Sequence, residues 1–525
     1  MTKVLMVSAE NGAFVGGKVG GMGDVIRDLP PQLAKQQIEA DVIMPSYGRF
    51  SQELQAQHIS ELSVSFAGQM QAVSLYRCDN PSHPQGQLYL LDHPLFASAG
   101  VGRIYDRRER GEPFAVDASK FALFCASVAK ALCDAKLGEY QVLHLHDWHT
   151  ALLALLRQFD PRYRPLQGLR CVFSIHNLAH QGPRPYRGSD SSLEQWFPEL
   201  LHAMPHDAWA KVGDPRYSEC LNPMRCGINL SDKVHLVSPS YAEEVLLPSH
   251  PHLGYYGGEG LQDDLSRCKQ QGKLIGILNG LTYPDIGPER GDFNQLLTKA
   301  LSSICLWQAE SEFARSVDLI AHARINQWQS QNRQPSVILS SVARLTEQKA
   351  QILCHALASG KTVLETLLFK LKQRHPNGVY LCLGSGSSAI ESQLQQIAAR
   401  HDNFLFLNGY QEELSAAVYQ QGQLFLMPSS FEPCGLSQLM AMREGQPCLV
   451  HHVGGLKDTV EDGVTGFAFQ GKGLEQQGLA MLRRFDEVMA MLGSDTWQQI
   501  CANAKECRFD WQQPCAEYKT QLYDA

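Results

Sequence analysis

Two fixed cations and a carboxylate follow apolar segments of the kind that form buried strands. Arg344 and Lys349 come shortly after the apolar segment 337–339, and Glu432 comes shortly after the apolar segment 424–427. In parallel sheets the carboxyl ends of the strands share one edge, where ligands bind. Cations at such an edge can neutralise a departing phosphate. The pattern therefore favours a site for a phosphorylated sugar donor.

A glycine-rich run, residues 16–24, follows a third apolar segment at residues 4–7 and contains Lys18. Glycines let the backbone approach an anion closely, and the start of the helix that follows offers unpaired N–H groups. The run is neither a G-x-G-x-x-G fingerprint nor a Walker P-loop, and taken alone it is equally compatible with a flexible loop. Combined with the two cations and Glu432, it indicates a nucleotide-sugar glycosyltransferase.

Short apolar runs alternate with helical patterns in both halves of the chain. Strands are predicted at residues 4–7, 40–44, 142–145, 171–175 and 234–237, and again at 337–340, 379–383, 404–407, 424–427 and 448–450. Helices are predicted at residues 23–35, 118–135, 362–373 and 435–443. This alternation is typical of parallel, doubly wound sheets. We therefore expect an α/β protein with two Rossmann-like, doubly wound domains facing a central cleft.

The turn-rich stretch 248–260 marks the region of the linker. We expect a first domain at residues 1–260, a second at 275–505, and a final segment at 506–525 that packs back on the first domain. Residues 46–110 have weaker periodicity and are predicted to be strands and loops inserted in the first domain.

Composition narrows the function classes. The chain has 525 residues, a net charge of -8 and 15 cysteines without a C-x-x-C pair. The acidic balance argues against nucleic-acid binding, and the scattered cysteines are typical of reduced thiols. No segment reaches the ~20 apolar residues of a membrane span, and the first residues do not form a signal peptide. A cytoplasmic enzyme without a membrane partner is expected; the sequence does not indicate the oligomeric state.

The histidine-rich segment 144–149 permits two interpretations. His144 and His146 alternate onto one face of a strand, which could begin a metal site, but the sequence indicates no further ligands from other segments. We therefore expect no metal and favour the second interpretation, in which Asp147 and Trp148 meet sugar hydroxyls and a sugar face.

Two further polar positions also have a structural alternative. His176 and Asn177 follow the next strand in the same way, and a simple turn is equally compatible with them. Glu432 could cap the helix that begins near Gly435, or stabilise an oxocarbenium-like sugar.

Taken together, the motifs resemble the bacterial glycogen synthase and plant starch synthase family. The segment Lys18–Val25 resembles the K-T-G-G-L-x-D-V loop of that family, and Gly454–Val460 resembles its G-G-L-x-D-T-V loop. The other matching blocks are residues 146–149, 176–178, 237–242, 279–280, 344–349 and 431–436, all in the family's order. The resemblance runs from about residue 3 to about residue 470.

The resemblance implies a GT-B fold and transfer of glucose from ADP-glucose to the non-reducing end of an α-1,4-glucan, either glycogen or a maltooligosaccharide. Anomeric configuration would be retained, without a metal or another cofactor. The implied catalytic residues are Glu432, Lys349, Arg344, His176 and Asp147. The implied substrate-binding residues are Lys18, Gly20, Gly21, Asp24, Asn177, Asn279, Tyr410, Cys434, Gly435, Leu436, Gly454 and Gly455.

Individual roles follow from the same resemblance. Lys18, Arg344 and Lys349 would hold the diphosphate, helped by backbone amides of the 454–455 loop, and Tyr410 would stack near the adenine. Glu432, His176, Asp147 and Asn279 would surround the glucosyl group. No carboxylate is an evident nucleophile, so we expect same-face attack in which the departing diphosphate takes the acceptor proton. Domain closure would exclude water.

The chain departs from the family pattern at several positions. Val19 replaces a threonine, Thr282 and Ser387 replace acidic residues, Val453 replaces a threonine, and Asn222–Arg225 replaces an N-F-[LM]-K segment. These departures leave two alternatives: a related enzyme that uses UDP-glucose or a smaller acceptor, and an inactive glucan-binding relative. A nicotinamide oxidoreductase is disfavoured because no G-x-G-x-x-G follows a strand.

Overall fold

The computed structural model describes residues 2–106, 114–283 and 291–524. Their contacts divide the chain into two compact units. Unit 1 takes in Met1–Ser249, Gly257–Thr282 and Asp510–Ala525, and unit 2 takes in His250–Tyr256 and Tyr283–Phe509. The sequence places the start of the second domain at residue 275, whereas residues 257–282 belong to unit 1. It also did not predict that residues 250–256 pack with unit 2.

The main sheet of unit 1 is built around β1, whose residues Val4–Val7 are fully buried. The strands are β1 (Thr2–Val7), β2 (Ile38–Pro45), β3 (Gln57–Phe66), β4 (Gln69–Asn80), β5 (His83–Asp92), β6 (Val142–His146), β7 (Arg170–Ile175), β8 (Arg184–Pro185), β9 (Cys220–Leu221), β10 (Lys233–Leu236) and β11 (Leu274–Gly276). Among the described residues, nine of them form one sheet in the order β11-β10-β7-β6-β1-β2-β5-β4-β3. The small β8–β9 pair is separate.

The strands from β11 to β5 pair in parallel, while β5-β4-β3 is antiparallel. Parallel strands buried on both faces form continuous apolar runs, which explains why the sequence identified β1, β2, β6, β7 and β10. In β3, buried Leu62 and Val64 instead alternate with exposed residues, as expected for a strand with one covered face. The predicted insertion at residues 46–110 therefore extends the sheet edge; residues 107–110 of that prediction lie outside the described residues.

The helices of unit 1 cross between these strands. They are α1 (Gly21–Ala34), α2 (Phe50–Glu53), α3 (Ala115–Cys133), α4 (Trp148–Phe159), α5 (Leu193–Trp196), α6 (Pro198–Ala203), α7 (Trp209–Val212), α8 (Pro223–Leu230), α9 (Pro239–Glu244) and α10 (Gln262–Gln270). Local sequence determines where several of these helices begin. In α8, for example, the Asn222 side chain accepts from Arg225 N and Pro223 occupies the first turn, where its missing N–H costs nothing.

In the described part of unit 2, six strands form a parallel sheet in the order β14-β13-β12-β15-β16-β17. The strands are β12 (Ile338–Val342), β13 (Val379–Leu383), β14 (Phe404–Leu407), β15 (Leu424–Met427), β16 (Cys448–His451) and β17 (Phe467–Phe469). The helices are α11 (Phe293–Ala309), α12 (Ser316–Ser330), α13 (Glu347–Cys354), α14 (Val363–Arg374), α15 (Ser388–Arg400), α16 (Glu412–Gln421), α17 (Ser437–Arg443), α18 (Gly454–Thr459), α19 (Leu474–Met491) and α20 (Asp495–Glu506).

Helices cover both faces of this sheet, and each face has its own apolar core. One core contains Leu364 and Leu367 of α14 with Phe485 of α19. The other contains Ile304 of α11 and Ile325 of α12. Two doubly wound α/β domains, as the sequence predicts, are therefore confirmed.

The last described residues return to unit 1. After α21 (Gln512–Glu517), a π-helical turn spans Tyr518–Tyr523. Tyr518 and Tyr523 are almost completely buried, and Lys519 Nζ donates to Gln36 O at 3.3 Å. The segment thus packs as part of the core of unit 1.

Among the parallel strands of each sheet, the strand order reverses once. The reversal lies between β1 and β6 in unit 1, and between β12 and β15 in unit 2. At such a switch point, connections leave on opposite faces and open a crevice at the carboxyl ends of the strands. Those four strand ends carry most of the residues that the sequence analysis selected.

Candidate active site

The glycine-rich loop after β1 is held by a carboxylate from the same strand end. Glu10, which is buried, accepts from the backbone amides of Val19 at 2.7 Å and Gly20 at 2.8 Å through Oε2. Its other oxygen, Oε1, accepts from the hydroxyl of Tyr105 at 2.6 Å. The backbone amide of Gly20, a residue that the sequence analysis predicted to bind substrate, therefore donates to a carboxyl group of the protein itself. Glycine is required in the loop, since a Cβ on Gly17 would lie 2.2 Å from Asn11 O.

Lys18 lies in an ion-pair cluster at the start of α1. Its Nζ is 2.6 Å from Asp24 Oδ1, and Arg27 Nη1 is 3.0 Å from the same oxygen. Arg27 also pairs with Asp28. Asp24, predicted as a substrate-binding residue, thus orients two cations, and Gly21 is the first residue of the helix.

Asp147, directly after β6, has a backbone conformation that is rarely adopted outside glycine. Its φ and ψ are 57° and -179°, a combination that costs on the order of 1–3 kcal/mol for other residues. The carboxylate accepts from the backbone amides of His176 at 2.7 Å and Asn177 at 3.4 Å. Burial raises the pKa of Asp147 to about 7, although those two amide hydrogen bonds lower it. A strained, buried carboxylate at the switch point is typical of a functional residue.

His176, after β7, lies beside His146 of β6. The two rings approach at 3.0 Å between His146 Nδ1 and His176 Nε2. Burial lowers the pKa of His176 to about 3 and the pKa of His146 well below its usual value. Both rings are therefore neutral at physiological pH, and they can position a sugar but cannot neutralise a phosphate.

The other histidines of segment 144–149 contact hydroxyl groups and aromatic rings. His144 bonds to Ser174 and Tyr523, and His149 packs against Tyr105 and Phe121. Among the described residues, no group of three or more His, Cys, Asp or Glu side chains is placed to hold a metal ion.

Asn279, after β11, is nearly buried, and its Oδ1 has no hydrogen-bond partner within the described part of the protein. His146 Nε2 and His149 Nδ1, also in unit 1, are in the same state. Buried polar atoms are normally paired, so Asn279 Oδ1 indicates a place where a donor from a ligand or water completes the hydrogen bonding.

In unit 2, Lys349 of α13 and Glu432 after β15 form an ion pair at the switch point. Glu432 is only 4% exposed, and its Oε2 also accepts from Ser429 Oγ at 3.0 Å. The α13 helix fixes the same loop, because Gln348 Nε2 donates to Phe431 O at 3.0 Å. The structure thus brings together two of the residues that the sequence predicted, from positions 83 residues apart.

The loop that carries Glu432 packs tightly on the loop before α18. The Gly455 amide donates to Glu432 O at 2.9 Å, and a Cβ on Gly455 would lie 2.2 Å from Cys434 O. Gly435 has a φ of +80°, and its carbonyl and that of Cys434 both accept from the Gln438 side-chain amide. Leu436 precedes α17 and Gly454 begins α18. These glycines allow the close approach that places Glu432.

Arg344 and Tyr410 present their side chains outward. The Arg344 side chain is exposed and forms no ion pair with any residue that the structure describes. Tyr410, after β14, is 54% exposed, and the preceding Gly409 packs on Trp307, where a Cβ would lie 2.4 Å from the indole. An exposed cation and an exposed aromatic ring are thus available for an anion and a base.

The segment 250–256 supports the Glu432 loop from a distant part of the sequence. The Tyr256 ring lies 4.9 Å from that of Phe431, and its hydroxyl donates to Gln351 Oε1 at 3.0 Å. Gln351 also accepts from Ser430 at 3.3 Å. No sequence pattern indicated this support.

The departures from the family pattern have partial compensation. At Ser387 the family acid is absent, but Glu391 Oε1 accepts from the amide of Gly386 in the same turn at 2.6 Å. Val19, which stands where the family has a threonine, donates its backbone amide to Glu10. Glu10, which the sequence analysis missed, follows a strand end just as Asp147 does, so the same signal could have identified it.

Comparisons with known proteins assign the chain to a family. Residues 3–267 match the family model described as the starch synthase catalytic domain, and residues 338–483 match that of glycosyl transferases group 1. The glycogen synthase of Streptococcus agalactiae serotype Ia is 30% identical over 99% of each chain. That of Gloeobacter violaceus is 32% identical over 98% of this chain and 97% of its own. The chain belongs to the glycogen and starch synthase family of glycosyltransferases, which confirms the resemblance.

A solved structure supports the fold. The catalytic domain of starch synthase IV from Arabidopsis thaliana, bound to ADP and acarbose, superposes with a TM-score of 0.73. It covers 99% of this chain and 98% of its own, at 23% identity. The predicted GT-B fold class is thereby confirmed. No helix in the described ranges is both long enough and apolar enough to cross a membrane.

Proposed function

We propose that this protein transfers glucose from ADP-glucose to the non-reducing end of an α-1,4-glucan with retention of configuration. The observation that carries the proposal is the Lys349–Glu432 ion pair at the switch point of unit 2. Its position after β12 and β15 is where α/β sheets bind their ligands. Family membership and the exposed Arg344 nearby in sequence support it.

In unit 2 we assign Arg344 and Lys349 to the diphosphate of the donor. When the bond from C1 to the phosphate oxygen breaks, the ADP leaving group takes the electron pair and gains negative charge. Preorganised cations stabilise that charge without reorganising during the reaction. Glu432, oriented by Lys349 and Ser429, would stabilise the positive charge that develops at the sugar. The exposed ring of Tyr410 would stack on the adenine.

The acceptor step needs no protein nucleophile. The glucan hydroxyl attacks C1 on the face that the diphosphate leaves, and its proton passes to a phosphate oxygen of ADP. This balances charge and protons while retaining configuration.

In unit 1 we assign Asp147, His176, Asn177 and Asn279 to sugar hydroxyls. The neutral imidazole of His176 with the neutral ring of His146 beside it, a strained carboxylate, and an amide oxygen without a partner among the described residues suit a neutral polyol better than an anion. The residues share the carboxyl ends of β6, β7 and β11 or the loops just beyond them.

ADP release from ADP-glucose, with and without glycogen, tests the proposal. We expect glycogen-dependent release that is faster than UDP release from UDP-glucose. The Glu432→Gln variant should have a kcat about 10²–10³-fold below that of the wild type. The carboxylate of Glu444 is paired with Arg443 in the same unit, and the control variant Glu444→Gln should match the wild type. Tyr410→Ala should weaken use of ADP-glucose more than use of UDP-glucose.

Three outcomes would contradict the proposal. Equal or better use of UDP-glucose would refute the donor assignment. Glycogen binding without nucleotide release from either donor would establish a glucan-binding relative instead. Equal kcat for Glu432→Gln and Glu444→Gln would remove Glu432 from the reaction.

We also propose that the enzyme works in the cytoplasm. All 15 cysteines lie in the described ranges and none forms a disulfide, as is typical of proteins from reducing compartments.

A further inference from the structure

A layer of polar side chains is buried in unit 1 between the sheet and the segment 510–524. His144 and His146 of β6, Ser174 of β7 and His235 of β10 have no exposed surface. The strands are neighbours, and their register pairs His146 with Ser174 and Ser174 with His235. The buried Tyr523 contacts this layer from the last helical turn. Such a layer costs stability unless every polar group is paired.

The hydrogen-bond directions in this layer can be inferred because the histidines are neutral. Burial lowers the pKa of His235 to about 4 and that of His144 well below its usual value. His235 Nε2 lies 3.3 Å from Ile277 O. A carbonyl only accepts, so Nε2 carries the proton of this ring and Nδ1 must accept.

The remaining directions follow in sequence. Ser174 Oγ, 2.7 Å from His235 Nδ1, donates to it, with the Tyr518 hydroxyl at a longer 3.4 Å. Ser174 Oγ then accepts from His144 Nε2–H at 2.6 Å. His144 Nδ1 is left as an acceptor, and the Tyr523 hydroxyl donates to it at 2.8 Å. These hydrogen bonds form a relay that runs in one direction, from the Tyr523 hydroxyl through His144, Ser174 and His235 to Ile277 O.

The relay reaches His176 through packing. His144, held at both ring nitrogens, packs against His146 with ring centroids 4.2 Å apart and planes inclined by 32°. His146 Nε2 is buried and has no hydrogen-bond partner among the described residues. A proton there would be a buried donor without an acceptor, which proteins avoid. The proton of His146 thus belongs on Nδ1, which donates to His176 Nε2 at 3.0 Å.

We propose that Tyr523 is a positioning residue for His176, and that the relay holds His176 as the tautomer with its proton on Nδ1. His176 then offers an N–H donor to the reacting sugar and no acceptor. The proposal deepens the proposed function and rests on it, since His176 is assigned there to a sugar hydroxyl. Loss of the Tyr523 hydroxyl leaves His144 Nδ1 unsatisfied, so the stacked pair His144–His146 loses its fixed orientation.

The experiment combines kinetics with 15N NMR of the imidazoles in the full-length chain. In the wild type we expect His144 and His235 protonated on Nε2, and His146 and His176 on Nδ1. Tyr523→Phe should lower kcat by about 10- to 100-fold with KM for both substrates changed less than about twofold, and should give mixed tautomers at His176. Tyr140→Phe is the matched control, because it removes another buried hydroxyl of unit 1, bonded to Asp41 Oδ2 at 2.7 Å before β6 begins.

Two results would overturn the proposal. One is a wild-type spectrum with His144 or His176 in the opposite tautomer. The other is a Tyr523→Phe enzyme whose kcat and His176 signals match those of Tyr140→Phe. If Tyr523→Phe does not fold, Ser174→Ala interrupts the same relay and is judged by the same readouts. A wild type without transferase activity would refute the proposed function, while the spectrum would still decide the tautomers.

Discussion

Acidification should destabilise unit 1 through its buried histidines. His144, His146, His149 and His235 are buried, and burial lowers the pKa of each. In the unfolded chain a histidine has a pKa of about 6.5. Below that value the unfolded state binds protons that the native state does not. The stability these groups provide above about pH 6.5 is therefore lost as the pH falls.

The magnitude follows from linkage. Between about pH 7.5 and about pH 5.5, each such histidine removes about 1.3 kcal/mol of stability, and the four together remove about 5 kcal/mol. Asp147 acts in the opposite direction, because burial raises its pKa to about 7. The stability that Asp147 provides is present at low pH and lost as the pH rises through that value. Acidification over the same range therefore adds about 2 kcal/mol to the free energy of unfolding. The net loss of about 3 kcal/mol should lower the unfolding temperature by roughly 5–10 °C.

Thermal unfolding followed by calorimetry across this pH range measures the effect. His235→Gln keeps a donor and an acceptor but does not titrate, so its pH dependence should be flatter than that of the wild type by about 1 kcal/mol. The stability of Asp147→Asn should depend on pH more steeply than that of the wild type, by about 2 kcal/mol over this range. His206→Gln, at an exposed histidine, is the control. The reasoning is refuted if His235→Gln follows the wild-type curve or if Asp147→Asn flattens it.

Three further perturbations address the site. Lys349→Met and Glu432→Gln should each lower kcat by about 10²–10³-fold. The double variant should be more stable in thermal unfolding than Lys349→Met, because it leaves no buried charge unpaired. A double variant that regains turnover would contradict the roles assigned to both residues. Asp147→Gly should abolish most turnover while leaving the unfolding temperature within about 3 °C of the wild type, because relief of backbone strain offsets the lost hydrogen bonds; a large destabilisation would show that the strain is small. Transferase activity should survive EDTA, since Arg344 and Lys349 supply positive charge at the diphosphate; loss of activity that one divalent metal restores would contradict this.

Much of the fold was predictable because buried parallel strands have a strong local signature. Strands β13, β14 and β15 coincide with the predicted residues, and most of the other predicted strands differ by one or two residues at an end. The antiparallel β3 and β4 were not resolved from sequence, because half-exposed strands alternate polar and apolar residues over only part of their length. The short strands β11 and β17 offer three residues each, too few for a periodic signal.

The candidate site was predictable where chemistry follows a strand end. Asp147, His176 and Glu432 stand directly after or near apolar runs, and the topology places their strands beside the switch points. The supporting residues were not predictable in this way. Tyr523 meets His144 across 379 positions, and Tyr256 meets Gln351 across 95. Neither tyrosine belongs to a local pattern, so only tertiary structure reveals its role.

The charges within each unit indicate which unit we expect to neutralise more of the diphosphate charge. Around the glycine loop of unit 1, Lys18 and Arg27 are matched by Asp24 and Asp28, and Glu10 already occupies the amides of Val19 and Gly20. Among these described residues, three carboxylates accompany two cations, so these side chains leave no excess positive charge for a diphosphate. In unit 2, Lys349 is paired with Glu432, whereas the exposed Arg344 forms no ion pair with any described residue, which leaves its positive charge available for the diphosphate. Since leaving-group charge grows as the sugar bond breaks, we expect substitution of Arg344 to slow turnover more than substitution of Lys18.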